Sequence, residues 1–306
     1  MAEFEVSLAG ATEERLSCLT RCLSDAFADL HTTMTDPGVW EVDETAGRLR
    51  FEYSSGGTAD GQRKADIIRV AAEGLAEYVL TESEPLLLRA IIRKQYRYEA
   101  DEDLNTIVWH CKQLLYGNGT PEEIVHSAET RARRKRKVAQ ELQAYLAEHA
   151  SIHLDGYITF RLSAYWEELR EIVEYAVDEF VMDKQYQEFI SLLRYFVCLQ
   201  EPKIAEVHLI HVRDGEFALF DARHEPIEHR PVDRVVAEML EAEMNVEDMV
   251  VSSLITLSPK QIVIHTRQND LQVIRTIEAI FEERVELCTS CRSCLPYFER
   301  AMPSRD

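Results

Sequence analysis

The chain has 306 residues, 46% of them hydrophobic and 29% charged, with a formal net charge of −21. That length supports one large domain or two modest ones. No apolar run approaches the roughly 20 residues needed to cross a bilayer, and the acidic balance disfavours general nucleic-acid binding or adhesion to an anionic membrane. The first residues, MAEFEVSLAGATEERL, hold neither a basic leader nor an apolar signal core, so the expected compartment is the cytoplasm.

The first eighty residues read β-α-β-β-α. Glu3–Leu8 alternates as a strand, with Phe4, Val6 and Leu8 on one side. A helix opens at Thr12, where Leu16, Leu19, Cys22 or Leu23, Phe27 and Leu30 recur at helical spacing. Val39–Val42 and Leu49–Tyr53 flank a turn-rich stretch and predict an antiparallel hairpin. A helix from about Gln62 to Val79 follows.

From Pro85 to Pro202 the pattern is helical. Leu86–Tyr116 is interrupted by the polar Glu99–Asp103. Thr120-Pro121-Glu122-Glu123 is a helix start, with Thr120 as cap, and that helix should reach about His149. Asp155-Gly156 marks a turn. The strongest apolar stripe then runs through Leu162, Tyr165, Trp166, Leu169, Ile172, Val173, Ala176, Val177 and Phe180. It changes phase at Met182–Lys184 to Tyr186, Phe189, Ile190, Leu193, Phe196 and Val197, which predicts two helices or one sharp bend, with Asp183 as a cap.

The last third returns to strands. Glu206–Val212 and Phe217–Phe220 surround Asp214-Gly215 as a hairpin. Pro231–Met244 and Val246–Leu257 read as helices. Gln261–His265, Asp270–Glu283 and Val285–Cys288 then form a βαβ unit. The expected fold is α+β: an N-terminal α/β region (1–83), a helical core region (84–203) and a C-terminal α/β region with a cysteine-rich tail (204–306). The two α/β ends either pack separately on the helical middle or pair into one sheet.

Four of the seven cysteines, Cys18, Cys22, Cys111 and Cys198, sit in helical patterns where a buried thiol is the ordinary outcome. The other three form Cys288-x-x-Cys291-x-x-Cys294, a spacing that lets neighbouring thiolates converge on one metal. Three thiolates need a fourth ligand for closed tetrahedral zinc, or could hold an iron–sulfur cluster with one iron differently ligated. If 261–288 is a parallel βαβ unit, His265 and Cys288 end nearby strands at one sheet edge, and His265 is a candidate fourth ligand. A thiol from a second copy, no fourth ligand, or an unliganded redox-active tail are the alternatives.

The basic run, Arg131 and Arg133 to Lys137, is the sole nucleic-acid candidate. Its competing reading is an inter-helix salt-bridged face opposite Glu167, Glu171, Glu174 and Asp178. A di-metal carboxylate bundle fails for want of a second Glu-x-x-His beside Glu123-x-x-His126. His208 and His211, three apart on a strand, face opposite ways and make no joint site. Two function classes remain: a non-enzymatic interaction or regulatory protein with a metal or redox site, and a metal- or thiol-dependent enzyme acting at the carboxyl edge of the C-terminal sheet. A protein partner and homo-oligomerisation both stay open.

Several segments together resemble the YtxC family of sporulation-linked proteins from endospore-forming bacteria. They are Leu104–Ile107, Gly156–Leu162, Glu168–Val173, Tyr186–Ile190, Leu193–Phe196, Gln200–Lys203, Leu257–Lys260 and Ile262–His265, continuing to the terminal cysteines. The resemblance covers roughly the last two-thirds and implies a sporulation-associated cytoplasmic protein. It carries over no catalytic residue.

Overall fold

The computed structural model describes residues 2–10, 12–33, 38–43, 45–53, 60–117, 121–212, 216–227 and 246–299. The chain divides into two compact units, 1–182 and 183–306, and the fold is α+β, rich in helix with two small mixed sheets.

In the first unit, β1 (Ala2–Ser7), β2 (Val39–Asp43), β3 (Arg48–Tyr53) and β4 (Ser151–His153) form a sheet in the order β2-β3-β1-β4. The expected hairpin is present, with β3 antiparallel to both β2 and β1. Alternation buries Phe4 and Val6 on one face of β1. There the rings of Phe4, Phe27, Trp40 and Phe51 meet at centroid distances of 4.7–5.6 Å. The helices are α1 (Glu13–Thr33), α2 (Asp60–Tyr78), α3 (Glu84–Ile91), α4 (Asp101–Tyr116), α5 (Pro121–Glu148) and α6 (Leu154–Phe160). Two π-helical turns, Val79–Ser83 and Ile92–Tyr96, join α2 to α3 and extend α3. Left-handed Arg97 then ends the run before α4, whose first turn holds Asp101, Glu102 and Asp103. Those carboxylates suit the positive end of a helix dipole, which accounts for the polar interruption.

One expectation here needs correction. Asp155-Gly156 is not a turn: it opens α6, where the His153 ring accepts the Gly156 N–H at 3.1 Å as a cap. Asp155 itself accepts from the Ala9 backbone at 2.7 Å and pairs with Arg15 at 2.7 Å. The short β4 lies parallel to β1, with Glu5 N–H donating to the Ala150 carbonyl. The expected cap at Thr120 and the Glu123/His126 pair lie outside the described residues or side chains.

Helix α7 (Ser163–Leu199) is a single 37-residue element without the expected break, and Asp183 is interior to it. The change of phase records a change of core. Leu162, Tyr165, Leu169, Val173, Ala176, Val177 and Phe180 belong to the first unit's core, and Ile190 and Val197 to the second's. No proline or glycine lies in Val181–Lys184 to stop the backbone ladder.

The second unit has its own sheet, in the order β6-β5-β7-β8, from β5 (Ile204–His211), β6 (Phe217–Asp221), β7 (Pro259–His265) and β8 (Val285–Cys288). The two α/β ends therefore form separate sheets. β5 and β6 are the expected antiparallel hairpin, while β5, β7 and β8 run parallel. Helix α8 (Val246–Leu257) precedes β7, and α9 (Gln272–Phe281) crosses from β7 to β8. α9 buries Val273, Ile274, Ile277, Ile280 and Phe281 among Val207, Leu209, Ile262 and Ile264 of the strands. The short α10 (Leu295–Glu299) follows the cysteines. The helix expected over Pro231–Met244 lies outside the described residues.

Candidate metal centre

The two ends of a parallel strand pair create the site. β7 finishes at His265 and β8 at Cys288, and these two residues are direct partners in the register. Strands rich in β-branched and aliphatic residues (Ile262, Val263, Ile264; Val285, Leu287) pair along their length and carry both ligand-type side chains to one carboxyl edge. The pairing is extended by Thr266 N–H donating to the Cys288 carbonyl at 3.1 Å.

The chain then turns back on itself. Cys291 N–H donates to Cys294 Sγ at 3.1 Å, and Leu295 N–H and Tyr297 N–H donate to the carbonyls of Cys291 and Cys294 as α10 begins. Cys291 Sγ lies 3.5 Å from Cys294 Sγ and 3.7 Å from His265 Nδ1. The ligand atoms of His265, Cys288, Cys291 and Cys294 all fall within 4.8 Å of one another. A tetrahedral zinc with Zn–S near 2.3 Å has ligand–ligand edges of about 3.8 Å, so the donor set fits one small ion. Cys294 and His265 are buried, whereas Cys288 and Cys291 are half-buried.

The protonation pattern follows from the surroundings. Burial, followed by repulsion from the His208 and His224 rings, depresses His265 to about 4, so its imidazole is neutral with a free lone pair at neutral pH. Burial, then the neighbouring Cys291 thiol, pushes Cys288 up to about 11. Burial also pushes Cys291 up, but hydrogen bonding with Cys294, Ser293 and Cys288 outweighs it, and this thiol lies below the ordinary range. Cys294 is raised, chiefly by burial.

Sequence reasoning missed a fifth participant. His208 Nδ1 sits 3.1 Å from His265 Nε2, the nitrogen facing away from the thiols. Ligation of a metal through His265 Nδ1 would leave the ring proton on Nε2, where it would donate to His208. His208 Nε2 in turn lies 3.8 Å from Glu206, and the His224 ring packs on His208 at 4.3 Å. The signal was a histidine inside the apolar strand Val207–Ile210, but only the register of β5 beside β7 discloses its neighbour. His211 does not join it; its ring meets Thr266 Oγ1 at 3.2 Å.

The other chemical candidates resolve within the first unit. The basic run is matched internally, but not by the acidic ladder anticipated for it. Arg131 and Lys135 both bind Glu77, at 2.6 and 2.8 Å, while Arg133 and Lys137 reach Glu168 at 3.8 and 3.4 Å. Glu167 pairs with Arg170 of its own helix. The fully buried Arg134 lies 3.9 Å from buried Glu84, which also accepts hydrogen bonds from Tyr116 and Tyr165. The partners come from α2, α3 and α7, an arrangement that tertiary packing decides. Cys18, Cys22 and Cys111 are buried as expected; Cys198, expected in the core, is exposed.

The sequence profile of the YtxC-like family matches residues 69–286, a stretch that contains His208 and His265 and stops before Cys288. An "Uncharacterized protein YtxC" from Bacillus subtilis (strain 168) is 28% identical over 213 residues, covering 70% of this chain and 74% of that protein. No solved structure matches. Among the described residues, no helix is long and apolar enough to cross a membrane.

Proposed function

Starting from the fact that this chain belongs to the YtxC-like family, we propose that it is a non-enzymatic, sporulation-associated interaction or regulatory protein whose C-terminal unit is stapled by one zinc ion on Cys288, Cys291, Cys294 and His265. The observation that carries the zinc reading is the convergence of four donors within 4.8 Å, three of them sulfur. A cubane iron–sulfur cluster binds each thiolate to a different iron and so sets those sulfurs further apart than a single ion does. The 3.5 Å between Cys291 Sγ and Cys294 Sγ favours one ion.

Coordination number argues for a structural role over a catalytic one. A catalytic zinc keeps one position open for water or substrate, whereas four protein ligands close the tetrahedron. The ion would tie together the ends of β7 and β8 and the 289–294 turn, none of which has a disulfide to fix it. The chain supplies the rest. The β7–β8 register supports this reading by pairing His265 with Cys288, the Cys291 N–H would favour a thiolate at Cys294, and His208 would set which nitrogen of His265 faces the ion.

The test is anaerobic purification followed by elemental analysis and a visible spectrum. Zinc near one equivalent per chain, lost in a Cys291→Ser/Cys294→Ser variant, is the expected result. Brown, air-sensitive absorbance would replace zinc with a cluster, and metal-free protein would remove the site altogether.

A further inference from the structure

Along the second half of α7 the core occupies one side of the helix, where Ile190 and Val197 are buried and Leu193 partly so. The adjoining face is apolar too but open: Phe189, Leu192, Phe196 and Leu199 are 55%, 63%, 49% and 66% exposed, with Tyr195 beside them at 64%. An exposed apolar patch of this size marks an interaction site. The spacing says with what. Phe189, Leu192, Phe196 and Leu199 fall three, four and three residues apart, with Gln185 four residues earlier, which is the a/d spacing of a coiled-coil seam. The fitting occupant is another α-helix.

We propose that this seam is a homodimer interface, in which the same stretch of α7 from a second copy of the chain packs antiparallel against it. Read backwards, Phe-Leu-Phe-Leu becomes Leu-Phe-Leu-Phe. An antiparallel two-fold pairing therefore sets each phenyl ring against a leucine, and the surface is its own complement. Phe189 also forms one wall of a groove of about 600 Å³ between α7, α8 and α9, lined by Ile190, Leu193, Val251 and Ile255. At about 200 Å² per large side chain, the five exposed residues present roughly 600 Å². Two copies would then remove roughly 1,200 Å², the size at which specific interfaces begin.

Sedimentation equilibrium on the full chain tests the proposal. The expected species is a dimer, and Leu192→Lys or Phe196→Lys raises its dissociation constant roughly 30-fold or more, as for a central interface residue. Both side chains are largely exposed within one chain, so cooperative thermal unfolding persists in the variants. Leu86→Lys, at an exposed apolar position of α3, leaves the dimer intact. A monomer whose seam is reactive to carbene labelling overturns the proposal. So does a monomer whose seam is shielded, which would assign the face to residues 228–245 of the same chain. A dimer indifferent to both lysine variants places the contact elsewhere and overturns it equally.

Discussion

Replacing His208 with alanine removes nothing that touches the proposed zinc, yet it should weaken zinc binding substantially. His265 is 2% exposed, and with its Nδ1 on zinc its Nε2–H would have His208 Nδ1, 3.1 Å away, as acceptor. Without that acceptor a buried N–H is orphaned, at a cost of about 1–3 kcal/mol. The imidazole also loses the partner that holds its tautomer and ring angle. Loss of such an outer partner typically costs about 10–100-fold in metal affinity, or about 1.4–2.7 kcal/mol. Competition against a chromophoric zinc chelator measures this directly. His208→Asn, which restores an acceptor, recovers most of the loss. His211→Ala, whose ring contacts Thr266 rather than a ligand, causes none. Zinc affinity in His208→Ala equal to the parent's would refute the role assigned to His208 and the Nδ1 ligation that follows from it.

Zinc affinity should also rise with pH near neutrality, because ligation must displace protons from the thiols. Cys288 is raised to about 11 and holds its proton firmly, while His265, depressed to about 4, has none to release. The slope of log affinity against pH is therefore at most about three, not four, above pH 5 or so, and isothermal titration in buffers of different ionisation enthalpy counts the protons. In the first unit, Arg134→Met leaves the Glu84 carboxylate beside two tyrosine hydroxyls without its buried guanidinium partner. Breaking a buried pair from one side typically costs about 3–5 kcal/mol, which urea unfolding monitored within residues 1–182 should show. Glu84→Gln in the same background returns part of that loss. Glu77 is depressed to about 2 from the ordinary 4.5, chiefly by its hydrogen bond from Arg131 and then, against burial, by Lys135. A lowered folded-state value means its contribution is present above about pH 4.5 and is lost as pH falls through about 2. Glu77→Gln should be less stable at neutral pH and lose less stability on acidification, as a urea midpoint against pH would record.

Periodicity made the site legible wherever one strand face or edge decided the outcome. Alternating or continuous apolar runs in Gln261–His265 and Val285–Cys288 announced the βαβ unit, and from it the meeting of His265 with Cys288 follows directly. It could not announce His208, because two residues on β5 and β7 become neighbours only through a register that neither strand encodes alone. The same limit misread α7. Apolar spacing reports which side of a helix is covered, and at Met182–Lys184 the covering core changed while the backbone continued. Asp155-Gly156 looked like a turn because the partners that make it a helix start, Ala9, Arg15 and His153, are either far away in the chain or act through an imidazole cap. Strand β4, at three residues, is held by backbone pairing to β1 and leaves almost no side-chain pattern to read.

Zinc K-edge absorption on the anaerobically purified chain addresses the site most directly, since it counts and identifies the atoms around the ion. Three sulfurs at about 2.3 Å and one nitrogen at about 2.0 Å is the predicted shell, with the nitrogen lost in His265→Ala. A shell dominated by oxygen, four sulfurs with no nitrogen, or iron in place of zinc would contradict it.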